Sequence, residues 1–106
     1  GKIIHQFRPK VFEYDDFHTI GNRMIKDMFL VYKKLIVNFN EIEDKNQNFS
    51  KRKRLFYKTK DFNSSNINKL YVNFKNQMIK NYIQNKKKRD LKVKIITQKF
   101  LKKILF

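Results

Sequence analysis

Between Phe12 and Phe39 the apolar residues recur with a helical period. Phe17, Ile20, Met24, Met28, Val31, Leu35 and Phe39 follow one another at steps of three, four, four, three, four and four. A period of 3.6 places all seven on one stripe of a helix. A period of two would instead carry Lys26 and Asp27 alternately into a core. Glu13, Asp15 and Asp16 crowd the start of the segment, and Lys33 and Lys34 lie toward its end. Acids at the positive end and bases toward the negative end both suit a helix dipole. The pattern predicts one long amphipathic helix over about 13–39.

The remaining segments follow from the same reading. Residues 1–11 are short, basic and interrupted by Pro9. Proline pushes Arg8 toward an extended conformation, so this is an extended arm. Its Lys2, Arg8 and Lys10 suit a phosphate backbone, and a frayed terminus is the alternative. Residues 40–65 form a basic loop that opens with the polar, acidic stretch Asn40–Asn48 and closes on the turn and cap cluster Asn63-Ser64-Ser65-Asn66. Ile67, Leu70, Phe74, Met78 and Tyr82 then recur at steps of three and four, which predicts a second helix over about 66–85. Asp90 reads as a cap or a break. Beyond it, Val93, Ile96, Phe100 and Ile104 step by three, four and four, predicting a third helix over about 90–105. Leu91, Val93 and Ile95 also alternate as a short strand would, and the pattern leaves open whether helices two and three are continuous.

Charge changes the picture more than composition does. The chain has 106 residues with 26 Lys and Arg against 9 acids, a net charge of +17. That length suits one domain. At 41% hydrophobic residues the composition does not demand disorder. So much positive charge repels itself, and a polyanion relieves the repulsion; nucleic acid and anionic membrane are the usual partners. With two Gly and one Pro, the tight turns of small β-barrels are missing, which favours a helical hairpin or bundle. There is no Cys, hence no disulfide, thiol nucleophile or Cys-based zinc site. His5 and His18 are too far apart in sequence to suggest a metal site. No apolar run approaches the length of a membrane span. The chain begins with Gly rather than Met, and no presequence is visible in it.

The candidate chemistry lies in basic clusters. Lys51, Arg52, Lys53 and Arg54 run directly into Leu55, Phe56 and Tyr57. Bases neutralise phosphate and neighbouring rings stack on unpaired bases, the pairing expected of RNA binding. The alternatives are a solvated loop whose Phe56 and Tyr57 anchor it to the core, or a nuclear-localisation run. Lys86, Lys87, Lys88 and Arg89 form the second cluster, and Lys99, Lys102 and Lys103 a third. These eleven residues are the candidate RNA-binding set, each expected to touch phosphate and carry little sequence information. Nothing resembles a Walker loop, dinucleotide fingerprint, HExxH, nucleophile elbow or carboxylate pair, so neither an enzyme nor a cofactor is expected. Asp15 and Asp16 are explained by helix capping, and His18 by packing beside the stripe. Gly21 inside the helix costs about 1 kcal/mol relative to Ala; it marks either a close approach of a backbone or base, or a tolerated defect.

Tyr14-Asp15-Asp16-Phe17-His18-Thr19-Ile20 resembles the opening of the first helix in the mitochondrial form of the large-subunit ribosomal protein twenty-nine family: an aromatic, two acids, a Leu, then His-Thr/Lys-Leu. Met24, Ile25, Lys26 and Asp27 resemble the apolar pair, Lys and Glu that follow there. Leu101, Lys102, Lys103, Ile104 and Leu105 are similar to its closing Ile-Lys-Thr-Val-Leu motif. The chain departs from the pattern at Gly21, Met28 and Phe29, and residues 40–89 have no counterpart. The resemblance therefore covers roughly the first third and last tenth of the chain. It implies a long antiparallel helical hairpin on ribosomal RNA near the polypeptide exit tunnel, beside another ribosomal protein.

The combined expectation is an all-α domain: a long antiparallel helical hairpin, an additional C-terminal helix and an extended basic N-terminal arm. The expected function is that of a structural constituent of the large ribosomal subunit in the mitochondrial matrix. Its partners would be ribosomal RNA and neighbouring large-subunit proteins, with no small-molecule substrate and no membrane insertion. The alternatives are a small DNA-binding protein, disfavoured by the absence of helix-turn-helix spacing, and a basic accessory subunit of an organellar membrane complex.

Overall fold

A computed structural model describes residues 1–46 and 55–101. The described residues are mostly helical (60%), with no strand among them. The four helices among the described residues are α1 (Phe17–Val37), α2 (Ser64–Lys75), α3 (Met78–Gln84) and α4 (Lys86–Lys92). Single 3-10 turns occur at Phe39–Glu41, Thr59–Asp61 and Lys99–Leu101.

The first helix starts at Phe17 rather than near 13, for a local reason. The Asp16 carboxylate accepts the Thr19 N–H at 2.8 Å, and the Thr19 hydroxyl accepts the Asp16 N–H at 3.0 Å. This reciprocal capping box satisfies two donors and fixes the first turn. Just upstream, the Asp15 carboxylate takes the Phe12 N–H at 2.7 Å while the Asp15 N–H reaches Phe12 O at 3.0 Å. Those bonds fold 12–15 into a turn and keep them out of the helix. The other end closes at Val37 because the Asn38 side chain and backbone N–H both donate to Lys34 O.

Of the apolar stripe, Val31 is buried and Phe17, Ile20, Met24 and Leu35 are partly covered, whereas Met28 and Phe39 are exposed. Phe17 meets α2 through two edge-on ring contacts, 5.1 Å from Tyr71 and 5.9 Å from Phe74. Such pairs contribute about 0.5–1.5 kcal/mol each beyond the area they bury.

The second helix predicted over about 66–85 is broken. Asn63 caps it by accepting the Asn66 N–H at 3.0 Å, but at Gln77 the backbone turns left-handed (φ 65°) and α3 starts afresh. The break rotates the chain so that Ile79, which lies off the predicted stripe, becomes one of the buried apolar residues with Val31 and Leu101. Between α3 and α4 the interruption is slight: backbone bonds Asn85 N–H to Asn81 O and Arg89 N–H to Asn85 O carry across it.

The third helix predicted over about 90–105 is corrected more deeply. Helix ends at Lys92, and residues 93–98 are non-helical. β-Branched Val93, Ile95, Ile96 and Thr97 favour extended backbone, and the arm supplies the hydrogen-bonding partner. Gln6 N–H donates to Ile96 O at 2.7 Å and the Gln6 side chain accepts the Ile96 N–H at 3.0 Å. On its other side the arm forms an antiparallel bridge in which Ile3 and Lys45 exchange N–H to O bonds of 2.7 and 2.9 Å. The arm thus lies between residues 43–45 and 96–98 and is hydrogen-bonded to both. Gln98, only 4% exposed, ties all three segments together: its amide nitrogen donates to Ile4 O and Glu43 O, both at 2.5 Å.

Candidate nucleic-acid interface

The second basic cluster divides in two because it lies on a helix. Positions 86 and 89 fall on the inner side of α4, whereas 87 and 88 point outward. Lys86 Nζ donates to Asp90 Oδ2 at 2.6 Å, and Arg8 Nε from the arm lies 3.1 Å from Asp90 Oδ1. Arg8 also donates to Val93 O. The Arg89 guanidinium stacks 3.8 Å from the centre of the Tyr82 ring. The hydrogen bond from Lys86, followed by the charges of Lys86, Arg8 and Arg89, holds the Asp90 carboxyl below its ordinary pKa. Arg89 therefore fastens α4 to α3, Arg8 ties the arm to α4 through Asp90, and Lys86 pairs with Asp90 within α4 itself.

The outer side is different. Lys80, Gln84, Lys87, Lys88 and Lys92 are exposed along α3 and α4, and Lys94 continues past them. From 78 to 94 the one acid in the sequence is Asp90, on the inner side. The result is an outward cationic face with no acid on it. Lys80 joins that face by its spacing of seven and eight residues from Lys87 and Lys88, a helical signal that cluster-based reading overlooked.

Lys99 is exposed in the turn Lys99–Leu101, away from α4 in sequence. Lys51, Arg52, Lys53, Arg54, Lys102 and Lys103 lie outside the described residues. Phe56 and Tyr57, adjoining the first cluster, are 80% and 77% exposed, so they do not anchor that segment to the core. Phe62 and the bases Lys58 and Lys60 are also exposed.

The two acids just before α1 have separate roles. Asp16 caps the helix, whereas Asp15, with its side chain only 1% exposed, pairs with Arg23 through contacts of 2.8 Å (Nη1–Oδ2) and 2.9 Å (Nη2–Oδ1). The Arg23 hydrogen bond outweighs burial and holds the Asp15 carboxyl well below the usual carboxylate range. Arg23 also donates to Lys10 O at 2.5 Å, which fixes the end of the arm against α1. His18 rests against Phe17 with ring centres 4.1 Å apart. A Cβ at Gly21 meets nothing within 4 Å, so none of the described residues makes a close approach there. Among the described residues no three His, Asp or Glu converge as metal ligands, and no helix is long and apolar enough to cross a membrane.

No family model, no curated protein and no solved structure matches the chain.

Proposed function

We propose that this chain is a structural RNA-binding protein of the large subunit of a mitochondrial ribosome. The observation that carries the RNA-binding part is the acid-free outer face of α3 and α4, with Lys80, Lys87, Lys88 and Lys92 exposed on it. Such a face offers several ammonium groups to consecutive phosphates, and the net charge of +17 calls for a polyanion of large extent. The ribosomal part rests on the resemblance at Tyr14–Ile20. In this reading α1 and the run from α2 to α4 form the two limbs of a hairpin lying on ribosomal RNA near the exit tunnel, with other large-subunit proteins alongside. Lys51, Arg52, Lys53, Arg54, Lys99, Lys102 and Lys103 contribute further phosphate contacts.

Substitution tests the assignment of the face. Lys87→Gln with Lys88→Gln should reduce the slope of log affinity against log salt by about one for each lysine removed, with sequence preference unchanged. The Lys86→Gln variant should instead lose stability and keep most of the slope. An unchanged slope in the Lys87/Lys88 variant contradicts the assignment.

A further inference from the structure

The helix α1 has a second apolar stripe that nothing in the described chain covers. Ile25, Met28, Phe29, Tyr32 and Ile36 recur at helical spacing, and each is more than half exposed. They border the packed stripe of Met24, Val31 and Leu35, so the apolar arc of α1 is wider than the part it buries. The five span about 16 Å at 1.5 Å per residue, and exposed Phe39 follows just past the end of the helix. A contiguous apolar surface of this kind marks an interaction site.

The edges of the stripe identify its occupant. Lys26 and Lys33, seven residues apart and both exposed, run along the side beyond Phe29. Exposed Glu41 stands at the far end, just past Phe39. We propose that this face docks an amphipathic helix of another protein. That helix would carry apolar residues at steps of three and four, Asp or Glu along the edge that meets Lys26 and Lys33, and a basic residue opposite Glu41. RNA does not fit the aliphatic part: Ile25, Met28 and Ile36 offer no ring to stack, and ribose-phosphate removes no apolar surface from water. A second copy brings another +17 body against the first. An anionic bilayer would meet Glu41 at the end of the stripe. The inference deepens the protein-neighbour part of the proposed function and does not depend on the RNA part.

The test places a benzophenone-bearing residue at Ile36 and, in a second full-length chain, at Lys87, followed by irradiation in the native particle and mass spectrometry of the adducts. Position 36 should cross-link to one protein segment with the stated apolar spacing and acidic edge. The charge reversal Lys26→Glu with Lys33→Glu should lower that yield about tenfold with the circular dichroism unchanged. Adducts at 36 to nucleotide, to lipid, to this chain itself, or to a protein segment without an acidic edge would overturn the proposal, as would no adduct. Position 87 reports separately: absence of RNA adducts there sinks the RNA reading while leaving the docking face standing.

Discussion

The Gln98 side chain and the Glu43 peptide unit meet in a two-point contact: Gln98 Oε1 accepts the Glu43 N–H at 3.1 Å and Gln98 Nε2 donates to Glu43 O at 2.5 Å. With its second amide hydrogen on Ile4 O, every polar atom of this buried side chain is used. Removing it leaves part-buried backbone groups of Ile4 and Glu43 without these partners. The Gln98→Ala variant should lose on the order of 1–3 kcal/mol of stability, read from denaturant midpoints. Hydrogen exchange should rise first at Ile3, Gln6 and Lys45. Exchange unchanged there would mean that the clasp does not depend on Gln98.

The same clasp is sensitive to pH through His5. Its Nδ1 accepts the Gln98 N–H at 3.1 Å, and burial pushes its pKa below the ordinary value of 6.5. A histidine that stays neutral in the fold binds fewer protons than in the unfolded chain. Stability is therefore full above about pH 6.5 and declines as pH falls toward the folded-state pKa. His5→Asn, which keeps an acceptor but cannot titrate, should flatten the thermal midpoint between pH 7 and 5.5.

A second loss follows at lower pH. Asp15 and Asp90 both have pKa values depressed in the fold, the first chiefly by Arg23 and the second chiefly by Lys86. Their contribution is present above the unfolded carboxylate pKa of about 3.9 and disappears as pH drops below it. Asp15→Asn should be less stable than the parent at pH 7, by on the order of 1–3 kcal/mol. It should lose less further stability between pH 5 and 3. Parallel pH curves for parent and variant would contradict this.

Gly21 lies in mid-helix with open space where a Cβ would stand. Gly21→Ala should raise stability by about 0.5–1 kcal/mol, measured by chemical denaturation. A loss of RNA affinity in that otherwise more stable variant would show that a base approaches the helix at this point.

The legible and illegible parts of the chain differ in a physical way. The long helix was readable because seven apolar residues hold one period, whereas its start at Phe17 rather than near 13 rests on the Asp16–Thr19 capping box, which the period does not show. The stripe did not reveal that Met28 and Phe39 stay outside, since a period shows which residues share a face and not how much of that face is covered. The break at Gln77 carries no Gly or Pro to announce it, and the periodic stripe of Ile67, Leu70, Phe74, Met78 and Tyr82 runs through it uninterrupted. The extended course of 93–98 was visible only as the alternation of Leu91, Val93 and Ile95, and its stabilising partner lies about ninety residues away in the arm. Distant hydrogen bonds leave no local pattern. The division of Lys86 and Arg89 from Lys87 and Lys88 follows from helix rotation, but which side faces the protein is set by Asp90, Arg8 and Tyr82.

Sedimentation of the native protein from mitochondrial lysate, with a high-salt wash and a parallel nuclease digestion, decides whether the proposed ribosomal assignment holds. An integral RNA-bound constituent stays with the large ribosomal subunit through the wash and is released when the RNA is cut. Sedimentation with membranes, or loss from ribosomes at modest salt, would contradict the account.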